Sequence, residues 1–126
     1  VQPALSPDRR LVAVPLLGGY RLHDAATGAA VRELRGAKEG DHFSAAFTPD
    51  GARLVAATAR GLDVWAVAGG RRKVVPVDGG ANGVDNLALH PGGRRAAVLT
   101  GGVDAGPVAV VALDLVTGKR VGTVPL

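Results

Sequence analysis

The 126-residue sequence has no cysteine, which excludes a disulfide framework, a thiolate metal site and a cysteine nucleophile. Aromatic residues are scarce as well, at 3% of the chain. The longest charge-free apolar stretch, residues 11–20, contains Pro15 and is far shorter than the roughly 20 residues of a membrane span, so we expect no membrane partner. The sequence has no signal-peptide pattern and does not begin with Met, and we therefore expect a segment of a longer protein.

Glycine and proline are abundant by contrast, with 19 and 8 residues respectively. This share of turn-forming residues favours many short strands over a helical bundle. Runs rich in β-branched residues, such as Val108–Val111, also favour strands, and no segment shows a convincing helical period. The composition therefore predicts an all-β chain.

A repeat with a period of 42 residues organises the sequence. Segments 4–14, 46–56 and 88–98 align, and their prolines occupy positions 7, 49 and 91. Each unit predicts four short strands, named a to d, with a proline-containing turn between a and b and a glycine-containing turn between c and d. The units span about residues 1–36, 37–78 and 79–126 of a single domain.

The third unit is longer than the other two. Its c–d turn glycine, Gly118, follows Gly70 by 48 residues, whereas Gly70 follows Gly28 by 42. Six additional residues therefore lie near Gly101–Pro107. We expect them to protrude as a long b–c loop on the face opposite the a–b turns.

A four-stranded unit of this length is typical of a β-propeller blade, and the residues themselves resemble a known family. Phe47–Val55 followed by Leu62–Trp65 resembles the core of a WD40 repeat, and Val111–Val121 is similar to the YVTN-type repeat of bacterial propellers. The resemblance implies an all-β fold: a β-propeller segment of three four-stranded antiparallel blades. No unit has a complete Trp-Asp dipeptide, so we expect aliphatic packing in place of the family's Asp-His-Ser-Trp network.

Three blades leave two open sides, because propellers typically have four to eight blades. We expect the remaining blades of a larger ring, or a second copy of the chain, to cover these sides. Within the segment, Leu5, Phe47 and Leu89 are 42 residues apart and are predicted to occupy equivalent buried sites. Trp65 on strand c is predicted to pack between two blades.

Residue types that carry catalysis are few. Ser6 and Ser44 lie outside any Gly-x-Ser-x-Gly elbow, and His23, His42 and His90 do not have the spacing of a metal site. His90 occupies the column of Ser6 in the repeat, so we expect it to cap the turn. The Gly-Gly pairs fit turns and no phosphate-binding motif. We therefore predict no catalytic residue, no metal ligand and no cofactor.

The formal net charge of the chain is +4, and the charges are unevenly distributed over the two faces of the predicted ring segment. The a–b and c–d turns lie on one face, and the b–c and d–a connections lie on the other. The candidate basic face consists of Arg9, Arg10, Arg53, Arg71, Arg72, Arg94 and Arg95. The candidate binding face on the opposite side consists of Asp41, His42, Arg60, Asp85 and Asp104.

Two functions stay open at this point. The first is a non-enzymatic, WD40-like repeat module for protein–protein interaction or scaffolding within a larger bacterial protein, with the basic face meeting an acidic protein partner. The alternative is part of a propeller enzyme, a lactonase-like hydrolase or an oxidoreductase, whose catalytic residues lie largely outside this segment. Nucleic acid is not expected as a partner, because no aromatic side chains interleave with the arginines to stack on bases.

Overall fold

The computed structural model of the chain describes residues 3–36, 42–58, 61–76, 87–102 and 106–125. Strands within these ranges form three four-stranded antiparallel sheets, which confirms the predicted all-β architecture. Sheet one contains β1 (Ala4–Leu5), β2 (Leu11–Leu16), β3 (Gly19–Asp24) and β4 (Ala30–Arg35). Sheet two contains β5 (His42–Phe47), β6 (Arg53–Thr58), β7 (Gly61–Ala66) and β8 (Arg72–Pro76). Sheet three contains β9 (Leu87–Leu89), β10 (Arg95–Gly102), β11 (Gly106–Asp114) and β12 (Arg120–Pro125).

Among the described residues, part of the additional length of the third unit lies in paired strands of the b–c hairpin, where the sequence predicted a loop. β10 continues to Gly102 and β11 begins at Gly106, and these two residues pair across the hairpin. A register irregularity between Thr100 and Gly102 accommodates one additional residue in β11. Pairing satisfies backbone hydrogen-bonding groups within the chain, so the hairpin lengthens instead of opening into a loop. Residues 103–105 lie outside the described ranges. Among the residues that the structure describes, no helix is long and apolar enough to cross a membrane.

The turn between strands a and b is held by side chains at fixed places in the repeat. Ser6 Oγ donates a hydrogen bond to Asp8 Oδ1 at 2.6 Å, and Thr48 Oγ1 donates to Asp50 Oδ1 at the same distance. In the third sheet His90 Nδ1 accepts a hydrogen bond of 3.0 Å from the backbone N–H two residues further on. The capping role predicted for His90 is therefore confirmed. Because these contacts are local, the same turn forms in each unit.

Sheet two lies between sheets one and three, with the innermost strands β1, β5 and β9 in contact. We call the side of a sheet that turns toward the preceding unit its front side, and the other its rear side. The rear side of sheet one and the front side of sheet two bury Ala13, Tyr20, Leu22, Leu34, Phe47, Leu54, Ala56 and Trp65. The rear side of sheet two and the front side of sheet three bury Val55, Ala57, Leu62, Val64, Val75, Ala96, Val98, Val111, Leu113 and Leu115.

Both sides of sheet two are therefore covered. Along β7, Leu62 and Val64 point to the rear cluster and Trp65 to the front cluster, and Asp63 between them is buried as well. The alternation of apolar and polar residues in this strand does not mark a solvent-exposed side. Trp65 packs between two sheets, as predicted.

The three inner-strand positions predicted to be equivalent differ in burial. Phe47 is 7% exposed, and Leu89 is partly buried against the cluster between sheets two and three. Leu5 is 53% exposed, so its predicted burial is wrong. The reason is positional, because each of these side chains lies on the front side of its sheet and no sheet among the described residues precedes sheet one.

Candidate functional site

The a–b and c–d turns of each sheet lie side by side on the basic face. In every sheet a backbone N–H of the c–d turn donates to a carbonyl oxygen of the a–b turn. These bonds join Ala25 to Arg10 at 2.8 Å, Val67 to Ala52 at 3.0 Å and Leu115 to Arg94 at 2.8 Å. The seven arginines predicted for this face therefore lie in, or directly beside, turns that are in mutual contact.

Each of the four carboxylates on this face accepts hydrogen bonds inside its own turn. Asp24 Oδ1 accepts from the backbone N–H groups two and three residues further on, at 2.8 and 3.0 Å. Asp114 Oδ1 does the same at 2.8 and 2.9 Å. These backbone bonds are the main reason that the pKa values of Asp24 and Asp114 lie below the ordinary value. The hydroxyl groups of Ser6 and Thr48 lower the pKa values of Asp8 and Asp50 in the same way.

Two of the seven predicted arginines are held in ion pairs. Arg94 Nε lies 2.8 Å from Asp114 Oδ2, which fastens the a–b turn to the c–d turn of sheet three. Arg72 Nε lies 2.8 Å from Asp63 Oδ1, so its guanidinium is directed along the front side of sheet two. Arg72 is nonetheless exposed, and its place on the basic face stays a prediction.

The other five predicted arginines behave differently. In the part of the chain that the structure describes, none of them makes a side-chain hydrogen bond or an ion pair. They are Arg9, Arg10, Arg53, Arg71 and Arg95. All are exposed except Arg53, which is half-buried. The basic face thus combines carboxylates that accept hydrogen bonds in their turns with guanidinium groups that make none there, although Arg10 and Arg53 still attract the carboxylates of Asp8 and Asp50.

Two further cations connect neighbouring sheets on the same face, and the sequence reasoning did not assign this role to either. Arg32 Nη1 in β4 donates to the carbonyl oxygen of Val67 at 2.7 Å, in the c–d turn of sheet two. Lys73 Nζ in β8 donates to the carbonyl oxygen of Val116, in the c–d turn of sheet three. In each case a strand-d cation of one sheet reaches the c–d turn of the next. Both residues could be assigned to strand d from the sequence. Their equivalence became clear only from the strand pairing, which sets the register of strand d against strand c.

Glycine leaves the space for both contacts. A Cβ built at Gly70 would lie 3.1 Å from Arg32 Cδ, and one at Gly118 would lie 3.4 Å from Lys73 Cε. Both glycines also have positive φ angles, 75° and 74°. The turn glycines therefore serve the turn conformation and the contact between sheets together.

The sequence reasoning also missed a buried polar cluster between sheets one and two. The Asp63 side chain is only 4% exposed and pairs with Arg72, and both lie on the side of sheet two that faces Tyr20. Burial, assisted by the negative charge of Asp63, raises the pKa of Tyr20 to about 12. The sequence contained a usable signal. Asp63 and Trp65 are two residues apart in a strand and share one side of it, so a tryptophan packed between blades places the aspartate there too.

The candidate binding face lies almost entirely outside the described residues. Asp41, Arg60, Asp85 and Asp104 lie outside the described residues, and of His42 only the backbone is described, paired with Thr58 in the β5–β6 ladder. Among the described residues no group of three or more His, Asp or Glu side chains is arranged to hold a metal ion. The binding role of this face stays a prediction.

Solved structures share the architecture. No protein-family model and no curated protein matches the sequence. The chain is similar to the Kuenenia stuttgartiensis hydrazine synthase, with a TM-score of 0.78 and 16% identity over 100% of this chain and 38% of that one. It is similar to TolB from Acinetobacter baumannii, with a TM-score of 0.68 and 20% identity over 98% of this chain and 31% of that one.

A third similar structure is the dihydro-heme d1 dehydrogenase NirN in complex with DHE. Its TM-score is 0.73 and its identity 22%, over 99% of this chain and 27% of that one. All three are β-propeller proteins, and the likeness at these identities establishes the fold: the chain is a β-propeller segment. It spans less than two fifths of the length of each neighbour.

Proposed function

We propose that the chain is part of a larger propeller ring and acts as a non-enzymatic interaction module, whose basic face binds an acidic segment of a protein partner. The observation that carries the proposal is the imbalance on that face. Asp8, Asp24, Asp50 and Asp114 all accept hydrogen bonds within their own turns. Five arginines, by contrast, make no side-chain hydrogen bond or ion pair in the described part of the chain.

The physical chemistry of arginine supports this choice of partner. A guanidinium group presents a planar fork of donors that matches a carboxylate. A single exposed pair contributes only about 0–1 kcal/mol, so useful affinity requires several arginines on one surface. The binding should weaken as salt is added, because exposed charges are screened over about 10 Å at 0.1 M ionic strength.

Binding of a fluorescent oligoglutamate peptide tests the proposal. The double variant Arg10→Gln/Arg95→Gln should weaken binding by about tenfold, since each change removes one exposed charge from the basic face. The matched control is Arg21→Gln/Arg35→Gln, which lowers the net charge equally but removes arginines that pair with Glu33 in sheet one. Equal losses in the two variants would attribute binding to net charge alone and overturn the proposal.

The alternative of a propeller enzyme has weaker support. Two of the similar structures carry the names of enzymes, a hydrazine synthase and a dehydrogenase, but identities of 16% and 22% support the fold alone. The residues that would serve such chemistry, Asp41, Asp85 and Asp104, lie outside the described ranges. The basic face therefore remains the better-supported site.

A further inference from the structure

The front side of sheet one has no covering layer among the described residues. It carries Leu5, Val12, Val14, Arg21 and His23, of which Leu5 is 53% exposed and the other four are partly exposed. The front sides of sheets two and three show which kind of surface packs against such a side. The corresponding residues of sheet two are Phe47, Leu54, Ala56, Asp63 and Trp65, all of them buried against sheet one.

Sheet three repeats this arrangement against sheet two. At the positions of Leu5, Val12, Val14 and His23 it has Leu89, Ala96, Val98 and Leu113, which pack in the cluster between sheets two and three. The same register position is therefore covered by a neighbouring blade twice in this chain. Continuity with these two interfaces identifies the kind of occupant that the front side of sheet one fits: another four-stranded blade.

The polar groups of the front side are arranged for such a neighbour. Arg21 already pairs with Glu33 at 3.2 Å, as Asp63 pairs with Arg72 in sheet two, so covering the sheet would not bury an unpaired charge. His23 occupies the position of Trp65. Its Nδ1 lies 3.0 Å from the carbonyl oxygen of Gly28, which leaves Nε2 for a contact across the interface.

The cations of strand d indicate which blade fits. Arg32 pairs with Leu22 in the β3–β4 ladder, and Lys73 pairs with Val64 at the matching register in β7–β8. Both reach the c–d turn of the following sheet. The matching residue of sheet three is Gly122, which pairs with Ala112 and has no side chain to make this contact.

A second copy of the chain would place the rear side of its own sheet three on this surface. That side has Gly122 at the strand-d position, so it offers no cation to the c–d turn of sheet one.

We propose that the front side of sheet one docks a further blade of unlike sequence, with an arginine or lysine at the strand-d position of Arg32 and Lys73. The cation would donate to the c–d turn of sheet one at residues 25–26. Arg32 and Lys73 make the same kind of contact with the c–d turns of sheets two and three. This inference rests on the proposed larger ring and is independent of the basic face.

Two chimeric chains test the proposal, each with an additional blade placed before residue 1 through the same short linker. One adds a copy of residues 37–78, whose strand d carries Lys73, and the other adds a copy of residues 79–126, whose strand d carries Gly122. The chain has no cysteine, so Val14→Cys introduces one thiol on the front side of sheet one as a probe. The rate at which iodoacetamide alkylates this thiol reports whether the side is covered.

We expect the first chimera to slow alkylation of the Val14→Cys thiol by about tenfold or more, and the second to slow it much less. Lys73→Ala in the added blade should remove most of the difference. A Leu17→Cys thiol is the control, since Leu17 is 97% exposed and should react at the same rate in every chain. Equal protection by both blades, or by neither, would overturn the proposal.

Self-association provides a second measurement on the original chain. If alkylation of the Val14→Cys and Ala112→Cys thiols slowed together as protein concentration rose, a second copy would be the occupant and the proposal would fail. Rates independent of concentration support an unlike blade. Oligoglutamate binding is measured separately, so failure of the docking proposal would leave the proposed interaction function standing.

Discussion

The indole Nε1 of Trp65 donates a hydrogen bond to the backbone carbonyl oxygen of Arg35 at 3.0 Å, and so joins sheet two to the last residue of β4 in sheet one. The same indole meets the ring of Tyr20 edge to face, with centroids 5.8 Å apart and an angle of 72° between the ring planes. Both side chains are fully buried. In a chain with 3% aromatic residues, one aromatic pair and one hydrogen bond mark the centre of the first blade interface.

Trp65→Phe should destabilise the chain by about 1–3 kcal/mol, because the Arg35 carbonyl loses its indole donor in a buried place. Trp65→Ala should cost about 3–5 kcal/mol, since it also leaves a cavity. Urea unfolding followed by circular dichroism measures both. Val116→Ala serves as the control, because Val116 is 43% exposed. A Trp65→Phe midpoint equal to that of the control would contradict the role given to this hydrogen bond.

Phe47→Ala and Leu5→Ala should differ strongly although the two residues occupy the same place in the repeat. Phe47 is 7% exposed between two sheets, and its truncation should cost about 3–5 kcal/mol. Leu5 is 53% exposed, and its truncation should change the free energy of unfolding by less than about 1 kcal/mol. Thermal unfolding compares the pair directly. Similar losses would mean that the front side of sheet one is covered in solution.

The repeat units, their turns and their strands were predictable because the chemistry that forms them is local. Ser6 and Asp8 are two residues apart and close the a–b turn by themselves, and Thr48 and Asp50 do so again. His90 could be interpreted from its column in the repeat for the same reason. For these three turns, the sequence pattern and the structure agree.

Contacts between sheets were less predictable, because they depend on which side of a strand meets a neighbour. Arg32 reaches Val67 over 35 residues of sequence, and Lys73 reaches Val116 over 43. Leu5 and Phe47 are equivalent in the repeat, yet among the described residues a sheet lies in front of Phe47 and none lies in front of Leu5. A repeat alignment establishes equivalence of position, whereas burial also depends on how many units stand on each side.

Asp63→Leu should destabilise the chain by about 1–3 kcal/mol, because it leaves the partly exposed Arg72 guanidinium without the carboxylate that it pairs with beside the interface. The double variant Asp63→Leu/Arg72→Leu should recover much of that loss, since replacing both partners by apolar groups leaves no unpaired charge beside the interface. Equilibrium unfolding of the two single variants and the double variant gives the coupling energy. A coupling near zero would show that the pair contributes nothing to the interface.

Arg9 occupies a strained backbone position, and Arg9→Gly should relieve it. Its φ is 63°, at the place in the repeat where Gly51 and Gly93 have φ angles of 74° and 75°. A residue with a Cβ pays about 1–2 kcal/mol in this left-handed region, which glycine visits freely. We expect Arg9→Gly to raise the unfolding midpoint, and the converse change Gly51→Ala to lower it. A lower midpoint for Arg9→Gly would show that the guanidinium makes a stabilising contact in solution.

The four turn carboxylates predict a loss of stability in acid. The folded-state pKa values of Asp8, Asp24, Asp50 and Asp114 lie below the ordinary value of 3.8, because their carboxylates accept hydrogen bonds. An unfolded chain then binds more protons than the folded one as the pH falls, so the stability present above about pH 4 is lost progressively below it. Asp114→Asn retains a side-chain oxygen for the two backbone N–H groups but cannot titrate. Its free energy of unfolding, measured by urea titration between about pH 6 and pH 2, should therefore decline less steeply than that of the unchanged chain. Parallel pH profiles for the two proteins would show that this carboxylate titrates alike in the folded and unfolded states.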